Sequence, residues 1–319
     1  MKKFIVKTLL LMLPVVVSLA PIEYLLRKIP NVYSYKKSYL DEHSGEIRVL
    51  ILGSSHTYGG IEPAYFPQNA FNAAHAAQSF DFDFEIFNKY LEKFKELKVV
   101  ILPVSYFSLW HKLSNDKESQ RRVKNYVLYY GIDAKPRRLV DSYELLNGRP
   151  IMNLHRFYNY YFKKQDDIVC TPLGRGINFN GTLTVTNVKR ADKKEARRSA
   201  RNGAFSAKND KTFAENVKIM DTFAEICRRN NIHLILITTP LHRTSNENSN
   251  TDRWGIIEKT MDDFTRRHGG VRYLNLRDDP DFTAEDFHDA SHLNGSGAGK
   301  LSVKLAGYID SLGIFSAPN

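Results

Sequence analysis

Residues 47–56 read Ile-Arg-Val-Leu-Ile-Leu-Gly-Ser-Ser-His, the segment with the clearest structural signal in the chain. Residues 48–52 are mostly β-branched or aliphatic and alternate little with polar ones, which is typical of a strand covered on both faces. Gly53 then allows a sharp turn, and Ser54 and Ser55 follow it. The stretch therefore predicts a buried strand that ends in a Gly-Ser-Ser turn.

The same alternation of strands and helices continues along the chain. Buried strands are predicted at 99–103, 233–239 and 271–276, and amphipathic helices at 80–97, 213–230, 254–268 and 297–312. Such alternation predicts an α/β fold whose parallel sheet carries helices on both faces. Ligands in these folds bind beyond the carboxyl ends of the strands, where the Gly-Ser-Ser turn falls.

The pattern breaks down in the middle of the chain, which mixes a basic helix candidate at 117–130, an aromatic cluster at 157–162 and a β-like piece at 182–185. We expect a discontinuous α/β domain at 45–110 and 211–316, with an insertion at 111–210 that serves as a lid or substrate platform. The insertion holds 21 Lys and Arg against 10 Asp and Glu, so it accounts for the chain's whole net charge of +11. This charge is either a solvated face or a surface that attracts an anionic glycan or phospholipid headgroups. The basic positions are Arg121, Arg122, Lys124, Arg137, Arg138 and the cluster 189–201.

The N-terminus has the pattern of an export segment. Two lysines follow Met1, and residues 8–22 are uncharged and mainly apolar. This pattern predicts a signal anchor at 1–30 that places the α/β domain on the extracytoplasmic, periplasmic side of the cell membrane. Pro21 opposes cleavage just before it, and the alternative is a buried N-terminal helix. Residues 31–46 are expected to be a polar connection.

Cysteine and histidine spacing predicts neither a metal site nor a cofactor. The chain has Cys170 and Cys227 alone, which allows one disulfide in an exported protein. Cys227 lies in an amphipathic helical pattern and is more simply a small core residue. No zinc-type spacing of His, Cys or Asp is present.

A second short segment, Asp289-Ala-Ser-His292, supplies the partners that a serine nucleophile needs. It follows the last predicted strand and precedes the last helix, so the fold returns it to the strand ends near the Gly-Ser-Ser turn. Ser55 fits the nucleophile position better than Ser54, because the strand runs to Leu52 and Gly53 makes the turn. His292 would then act as the base and Asp289 would orient it.

With these residues the chain resembles the SGNH (GDSL-like) hydrolase superfamily. Residues 53–55 resemble its first sequence block, with Ser54 in place of the usual aspartate, and residues 289–292 resemble its last. The resemblance implies a three-layer flavodoxin-like fold and a Ser-His-Asp triad that forms an acyl-enzyme. It is closest to membrane-anchored members that work in O-acylation of cell-surface polymers.

The resemblance also implies an oxyanion hole, and here the sequence departs from the usual pattern. The second block, 72–79, has alanine where glycine is usual, so the backbone N–H of Ala76 or Ala77 is the expected donor. The third block lacks its asparagine, which leaves Ser105 or Asn72 as substitutes. His242 and Arg243 follow the 233–239 strand and are candidate ligands of the substrate.

These features predict an esterase or O-acyltransferase that acts on acyl groups, acetyl first of all, of a cell-surface carbohydrate. A transferase would need a membrane-bound acyltransferase partner to supply the acyl group. The alternative is a non-catalytic glycan-binding or scaffold protein with the same fold. A third interpretation is a membrane-surface protein that binds through the basic insertion. Nucleic acid is not an expected partner of an exported chain.

Overall fold

The computed structural model describes residues 1–116, 119–181, 207–243 and 251–315. The helices are α1 (Lys2–Arg27), α2 (Val32–His43), α3 (Ser55–Gly60), α4 (Phe80–Tyr90), α5 (Glu144–Asn147), α6 (Pro150–Lys163), α7 (Ala207–Arg229), α8 (Thr251–Arg267) and α9 (Gly295–Ser311). The strands are β1 (Val49–Ile51), β2 (Ala70–Asn72), β3 (Val99–Pro103), β4 (His233–Thr238) and β5 (Arg272–Asn275). Short helical turns lie at Ser44–Glu46, Pro63–Tyr65, Ser108–Trp110, Leu113–Asn115, Gln120–Arg122, Val123–Asn125, Tyr126–Tyr130, Leu139–Ser142 and Ala284–Asp286.

The chain forms two compact units. The helical unit comprises Met1–Ser38 and Lys117–Ile168, and the α/β unit comprises Tyr39–Asp116 and Val169–Asn319. Residues 169–181, which the sequence assigned to the insertion, therefore belong to the α/β unit. Of the helices in the described ranges, none is both long and apolar enough to cross a membrane, so the expected membrane helix at 1–30 is not supported.

The α/β unit is built on a five-stranded sheet in the order β2-β1-β3-β4-β5. All neighbouring strands are parallel, which confirms the predicted α/β class. Ile51 of β1 pairs with Asn72 on one side and Ile101 on the other. The strand order reverses between β1 and β3, and this switch point is where such sheets bind ligands. The sequence did not predict β2, because Phe71 between Ala70 and Asn72 makes no apolar run that would indicate a strand.

The sheet is covered on both faces. Leu50 and Ile51 point to opposite faces of β1, and both are fully buried. On one face, Leu301, Leu305 and Ile309 of α9 belong to the core cluster that contains Ile51. Each such aliphatic side chain contributes about 1.5–3 kcal/mol when fully buried.

The two cysteines do not form the disulfide that the sequence allows. Cys227 is buried, Cys170 is half-buried, and both are free thiols.

Two local predictions differ from the structure, and two others concern residues outside the described ranges. Residues 31–46 are not a polar connection but contain α2, because the Asn31 side chain accepts hydrogen bonds from the N–H groups of Tyr33 and Ser34 and starts a helix. The basic helix expected at 117–130 is a series of short turns in its described part. The β-like piece at 182–185 and the basic cluster at 189–201 lie outside the described residues.

Candidate active site

The turn at residues 53–55, which we call the nucleophile turn, requires glycine at position 53 for two reasons. Gly53 has φ +113°, which side-chain-bearing residues rarely adopt. A Cβ added there would also lie 2.1 Å from Cγ of Pro103 in β3. The Thr57 hydroxyl fastens the turn by donating to the Leu52 carbonyl at 2.8 Å. The chain therefore leaves β1 abruptly and enters α3 at Ser55.

Burial separates the two serines of this turn. Between residues 49 and 61 every residue is buried except Ser55, which is half-buried. The Ser54 hydroxyl is buried and has no hydrogen-bond partner among the described residues. Ser55 is therefore the serine whose hydroxyl a substrate can reach.

Asp289, His292 and Ser55 form a continuous chain of hydrogen bonds. His292 Nε2 lies 2.8 Å from Ser55 Oγ, and its Nδ1 lies 2.9 and 3.0 Å from the two Asp289 oxygens. The turn at residues 289–292, which we call the triad turn, is closed by the His288 N–H, which donates to the His292 carbonyl at 2.8 Å. The structure thus brings together the three residues that the sequence predicts as a triad.

Asp289 fixes the protonation of the imidazole. Burial opposes its ionisation, but the hydrogen bond and charge of His292 and the N–H groups of Ser291 and His292 outweigh burial. The pKa of Asp289 therefore lies well below its usual range, and the carboxylate accepts the Nδ1 proton. Nε2 is left as the acceptor for the Ser55 hydroxyl.

A buried carboxyl group lies beneath the nucleophile turn, and no sequence pattern indicates it. Asp83 of α4 accepts hydrogen bonds from the Gly53 N–H at 2.7 Å and from the Gln78 amide at 2.5 Å. Burial raises the pKa of Asp83 to about 7, Asp81 adds to the increase, and the two hydrogen bonds oppose it. Its attachment to the Gly53 N–H makes Asp83 a positioning residue for the turn that carries Ser55.

An aromatic side chain from the segment 169–181 covers the imidazole. Phe179 stacks on His292 with ring centroids 4.6 Å apart and an angle of 17° between the planes. The segment is held by an ion pair between Arg175 and Glu62 at 2.8 Å, and the absence of a side chain on Gly59 makes room for Phe179. Its sequence, placed in the expected insertion, carried no spacing that would have connected it to the site.

Backbone N–H groups lie around the nucleophile. Ser55 is the first residue of α3, and its N–H has no acceptor in the described part of the chain. The Ala76–Ala77 turn is held beside it, because the His75 N–H donates to the Gly53 carbonyl at 3.1 Å. Ala77 has φ +61°, the left-handed conformation that favours glycine. The N–H groups of Ala76 and Ala77 also have no acceptor among the described residues.

The other predicted contact residues lie in different surroundings. Asn72 is not an available donor, because both protons of its amide are used by the carbonyls of Thr57 and Ile61. The Ser105 hydroxyl lies 2.7 Å from that of Ser108. The His242 N–H donates to Ala290 of the triad turn at 3.1 Å, whereas Arg243 is exposed. Within the described residues no group of His, Cys, Asp and Glu is placed to hold a metal ion.

Comparison with known proteins gives matches of overall fold. A scan against protein-family models and a search of curated proteins found no match. Among solved structures, a protein from Streptococcus pneumoniae provisionally named as a platelet activating factor is similar at 11% identity and a TM-score of 0.44, covering 92% of this chain and 99% of its own.

Two Bacteroides structures are similar at the same level. A Bacteroides fragilis protein that is provisionally named an acylhydrolase has 9% identity and a TM-score of 0.40, over 86% of this chain and 95% of its own. A GDSL-like lipase from Bacteroides thetaiotaomicron has 11% identity and a TM-score of 0.40, over 88% and 100%. Similarity at this level assigns no activity and no residue role to this chain.

Proposed function

We propose that this chain is a serine hydrolase of the SGNH type that works through an acyl-enzyme on Ser55. The observation that carries the proposal is the hydrogen-bonded series Ser55–His292–Asp289 at the carboxyl end of β1. A nucleophile, a base in contact with it and a carboxylate that orients the base are the parts that acyl transfer to serine needs.

The reaction runs in two halves. Ser55 Oγ attacks the carbonyl carbon of an ester while its proton passes to His292 Nε2. The tetrahedral intermediate then expels the alcohol, which takes the proton from Nε2 and leaves the acyl group as an ester on Ser55. In the second half, water or an acceptor hydroxyl attacks this ester, and Nε2 takes its proton and returns it to Ser55. Water gives hydrolysis, and an acceptor hydroxyl gives transfer.

Backbone donors would stabilise the oxyanion of each intermediate. The N–H of Ser55 and one N–H of the Ala76–Ala77 turn are the proposed donors, since neither group has another acceptor among the described residues. The third donor of the superfamily has no counterpart in Asn72, and the Ser105 hydroxyl would have to leave Ser108 to take that role. The absence of one such donor typically costs about 3–4 kcal/mol of transition-state stabilisation.

The substrate and location are further parts of the proposal. We propose that the acyl group is acetyl and is carried by an anionic cell-surface carbohydrate, and that the α/β unit works outside the cytoplasm. The basic leader and apolar run at 1–30 support the location, and the excess of Lys and Arg at 111–210 supports an anionic substrate. If the chain transfers the acyl group, a membrane-bound acyltransferase is its proposed partner.

A fluorophosphonate probe tests the nucleophile. We expect the full chain to be labelled, Ser55→Ala to lose labelling, and a peptide bearing the probe to contain residue 55. Ser54→Ala is the matched control, because its hydroxyl is buried and makes no cap hydrogen bond to α3. Labelling that persists in Ser55→Ala, or that disappears in Ser54→Ala alone, would refute the assignment.

The substrate is tested separately with an O-acetylated acidic polysaccharide. Release of acetate that depends on Ser55 supports an esterase, and movement of labelled acetyl to an unmodified glycan supports a transferase. The second candidate function is a non-catalytic glycan-binding module, which the engagement of Asn72 and Ser105 elsewhere favours. Glycan binding by a chain that the probe does not label would support this second candidate.

A further inference from the structure

Helix α6 of the helical unit turns its polar side inward. Asn153 is 6% exposed and donates to the Glu144 carbonyl at 3.1 Å. Arg156 binds the Glu144 carboxylate at 3.0 Å and the Asp167 carboxylate at 2.6 Å. Glu144 is fully buried and also pairs with Lys124. The side of α6 that packs on the rest of its unit is therefore fastened by charges and amides.

The opposite side of α6 is apolar and exposed. Ile151, Leu154, Tyr158 and Phe162 are 83%, 69%, 49% and 69% exposed. Spacings of three and four residues place them in one row along the helix, which we call the α6 stripe. A helix of a water-soluble domain normally turns such a row toward the core, and exposed apolar patches of this kind mark a surface that contacts something other than water.

Aromatic and basic side chains flank the stripe in pairs. The Lys163 ammonium lies 5.4 Å from the Tyr158 ring, and Phe162 stacks on Tyr158 at 5.5 Å. Directly after α1, the Lys28 ammonium lies 5.4 Å from the exposed ring of Tyr24 in the same way. Tyrosine and lysine at the border of an apolar surface are the residues that anchor proteins at a membrane–water interface.

Helix α1 packs beside α6 and also carries exposed apolar side chains. The Tyr161 hydroxyl of α6 donates to the Leu25 carbonyl of α1 at 2.9 Å, so the two helices are neighbours in this unit. Along α1, Leu11 and Val17 are 74% and 61% exposed. Exposed basic residues mark both ends of α6, Arg149 before it and Lys163 and Lys164 at its end. These charges complement anionic phospholipid headgroups.

We propose that the helical unit binds the surface of an anionic lipid bilayer, with α6 lying in the plane of the interface and the α6 stripe among the lipid chains. The helix has 14 residues and is therefore about 21 Å long, shorter than the roughly 30 Å hydrocarbon layer. Such a helix lies in the interface with its apolar face about 5–10 Å deep. The inference does not depend on the acyl chemistry proposed for Ser55.

The test places an environment-sensitive fluorophore on the stripe. The full chain carries Cys170→Ser, so that buried Cys227 is the remaining native thiol, and Phe162→Cys is labelled with a nitrobenzoxadiazole. With vesicles of phosphatidylcholine and phosphatidylglycerol, we expect the emission to shift to the blue and to be quenched by spin-labelled lipid. Val303→Cys on α9, 56% exposed in the α/β unit, is the matched position and should not respond.

A second measurement tests the stripe without a label. The pair Ile151→Ser and Leu154→Ser should lower the vesicle partition coefficient by roughly 10- to 100-fold, because two aliphatic side chains no longer leave water. Val303→Ser should leave it unchanged.

Three results would overturn the proposal. The first is no binding to the vesicles. The second is binding during which the probe at residue 162 stays in water. The third is a probe response to protein concentration without lipid, which would show a second copy of the chain on the stripe. None of these results bears on fluorophosphonate labelling of Ser55.

Discussion

The α/β unit and the helical unit distribute polar groups in opposite ways. In the α/β unit the apolar residues of the sheet are buried, and the polar groups of the site lie at the strand ends, where Ser55 and His292 are half-buried. In the helical unit the charged network around Glu144 is buried, and the apolar α6 stripe faces outward. Amphipathic helices thus occur in both units. Their polar sides face water in the α/β unit, whereas in the helical unit the apolar side of α6 faces outward, as proposed toward lipid.

Buried ionisable groups also differ between the units. In the helical unit Glu144 is opposed by Lys124 and Arg156, and although burial disfavours its charged form, these cations hold the pKa of Glu144 below its ordinary value. In the α/β unit buried Asp83 has hydrogen-bond donors but, among the described residues, no cation that offsets its burial, and burial raises its pKa to about 7. The cations of the helical unit therefore favour the charged form of Glu144, whereas burial beneath the nucleophile turn favours the neutral form of Asp83.

The largest expected effect is on catalysis in the α/β unit. Asp289→Asn should lower turnover by about 10⁴-fold, the loss known for the equivalent change in a serine protease, because an amide can donate to Nδ1 and favours the wrong tautomer of His292. The rate of fluorophosphonate labelling measures it. Asp281→Asn, an exposed acid of the same unit paired with Lys304, is the control and should label at the normal rate. Equal rates for the two variants would contradict the role of Asp289.

The next effect is on the stability of the helical unit. Glu144→Gln should lower the free energy of unfolding by about 3–5 kcal/mol, because Lys124 and Arg156 would keep their buried charges without the carboxylate. Hydrogen exchange of peptides from residues 123–163 measures the loss in that unit. Glu225→Gln breaks an exposed pair with Arg229 and should cost less than about 1 kcal/mol. Similar losses in both variants would show that the buried network is not the stabilising element.

The sequence predicted the parts of the α/β unit whose signals are local. The apolar run at 48–52 predicts β1, and Gly53 predicts the turn that follows it. The three-residue spacing of Asp289 and His292 predicts that one tight turn brings their side chains together. The alternation of strands and helices predicts that this turn lies near Ser55. In the structure His292 Nε2 lies 2.8 Å from Ser55 Oγ.

The features that the sequence missed depend on distant packing. Asp83 is 30 positions from Gly53, and Phe179 comes from a segment with no regular pattern, so neither has a local signal. The aromatic cluster of α6 was visible in the sequence, but periodicity shows only that one side is apolar. Which side faces inward is decided by the pairing of Arg156 on α6 with Glu144, a buried residue of another segment that also binds Lys124.

The buried acid of the nucleophile turn should make stability fall as pH rises. In the folded chain Asp83 keeps its proton up to about pH 7, whereas in the unfolded chain it releases the proton near pH 4. The free energy of unfolding should therefore fall by about 3 kcal/mol between pH 5 and pH 8. Asp83→Asn stays neutral and its oxygen can still accept from Gly53 and Gln78, so this contribution should disappear. Urea unfolding of both proteins at the two pH values measures the difference.

Asp81→Asn is the control for that measurement. Asp81 adds to the increase in the pKa of Asp83 but is not the buried group, so its variant should keep most of the fall in stability. Titration of the groups that all three proteins share cancels in the comparison. An unchanged pH dependence in Asp83→Asn would mean that Asp83 is ionised in the folded state at neutral pH, and the contrast with Glu144 would be lost.

The smallest expected effect concerns the ring that covers the base. Phe179→Leu should lower kcat about 5- to 10-fold with little change in KM, since an aromatic contact contributes about 1 kcal/mol and here it holds the His292 ring in line with Ser55. Phe179→Tyr keeps the ring and should restore kcat, which separates stacking from simple bulk. A change confined to KM would instead make Phe179 a wall of the substrate site, and the α/β unit would then present an apolar surface of its own beside its polar triad.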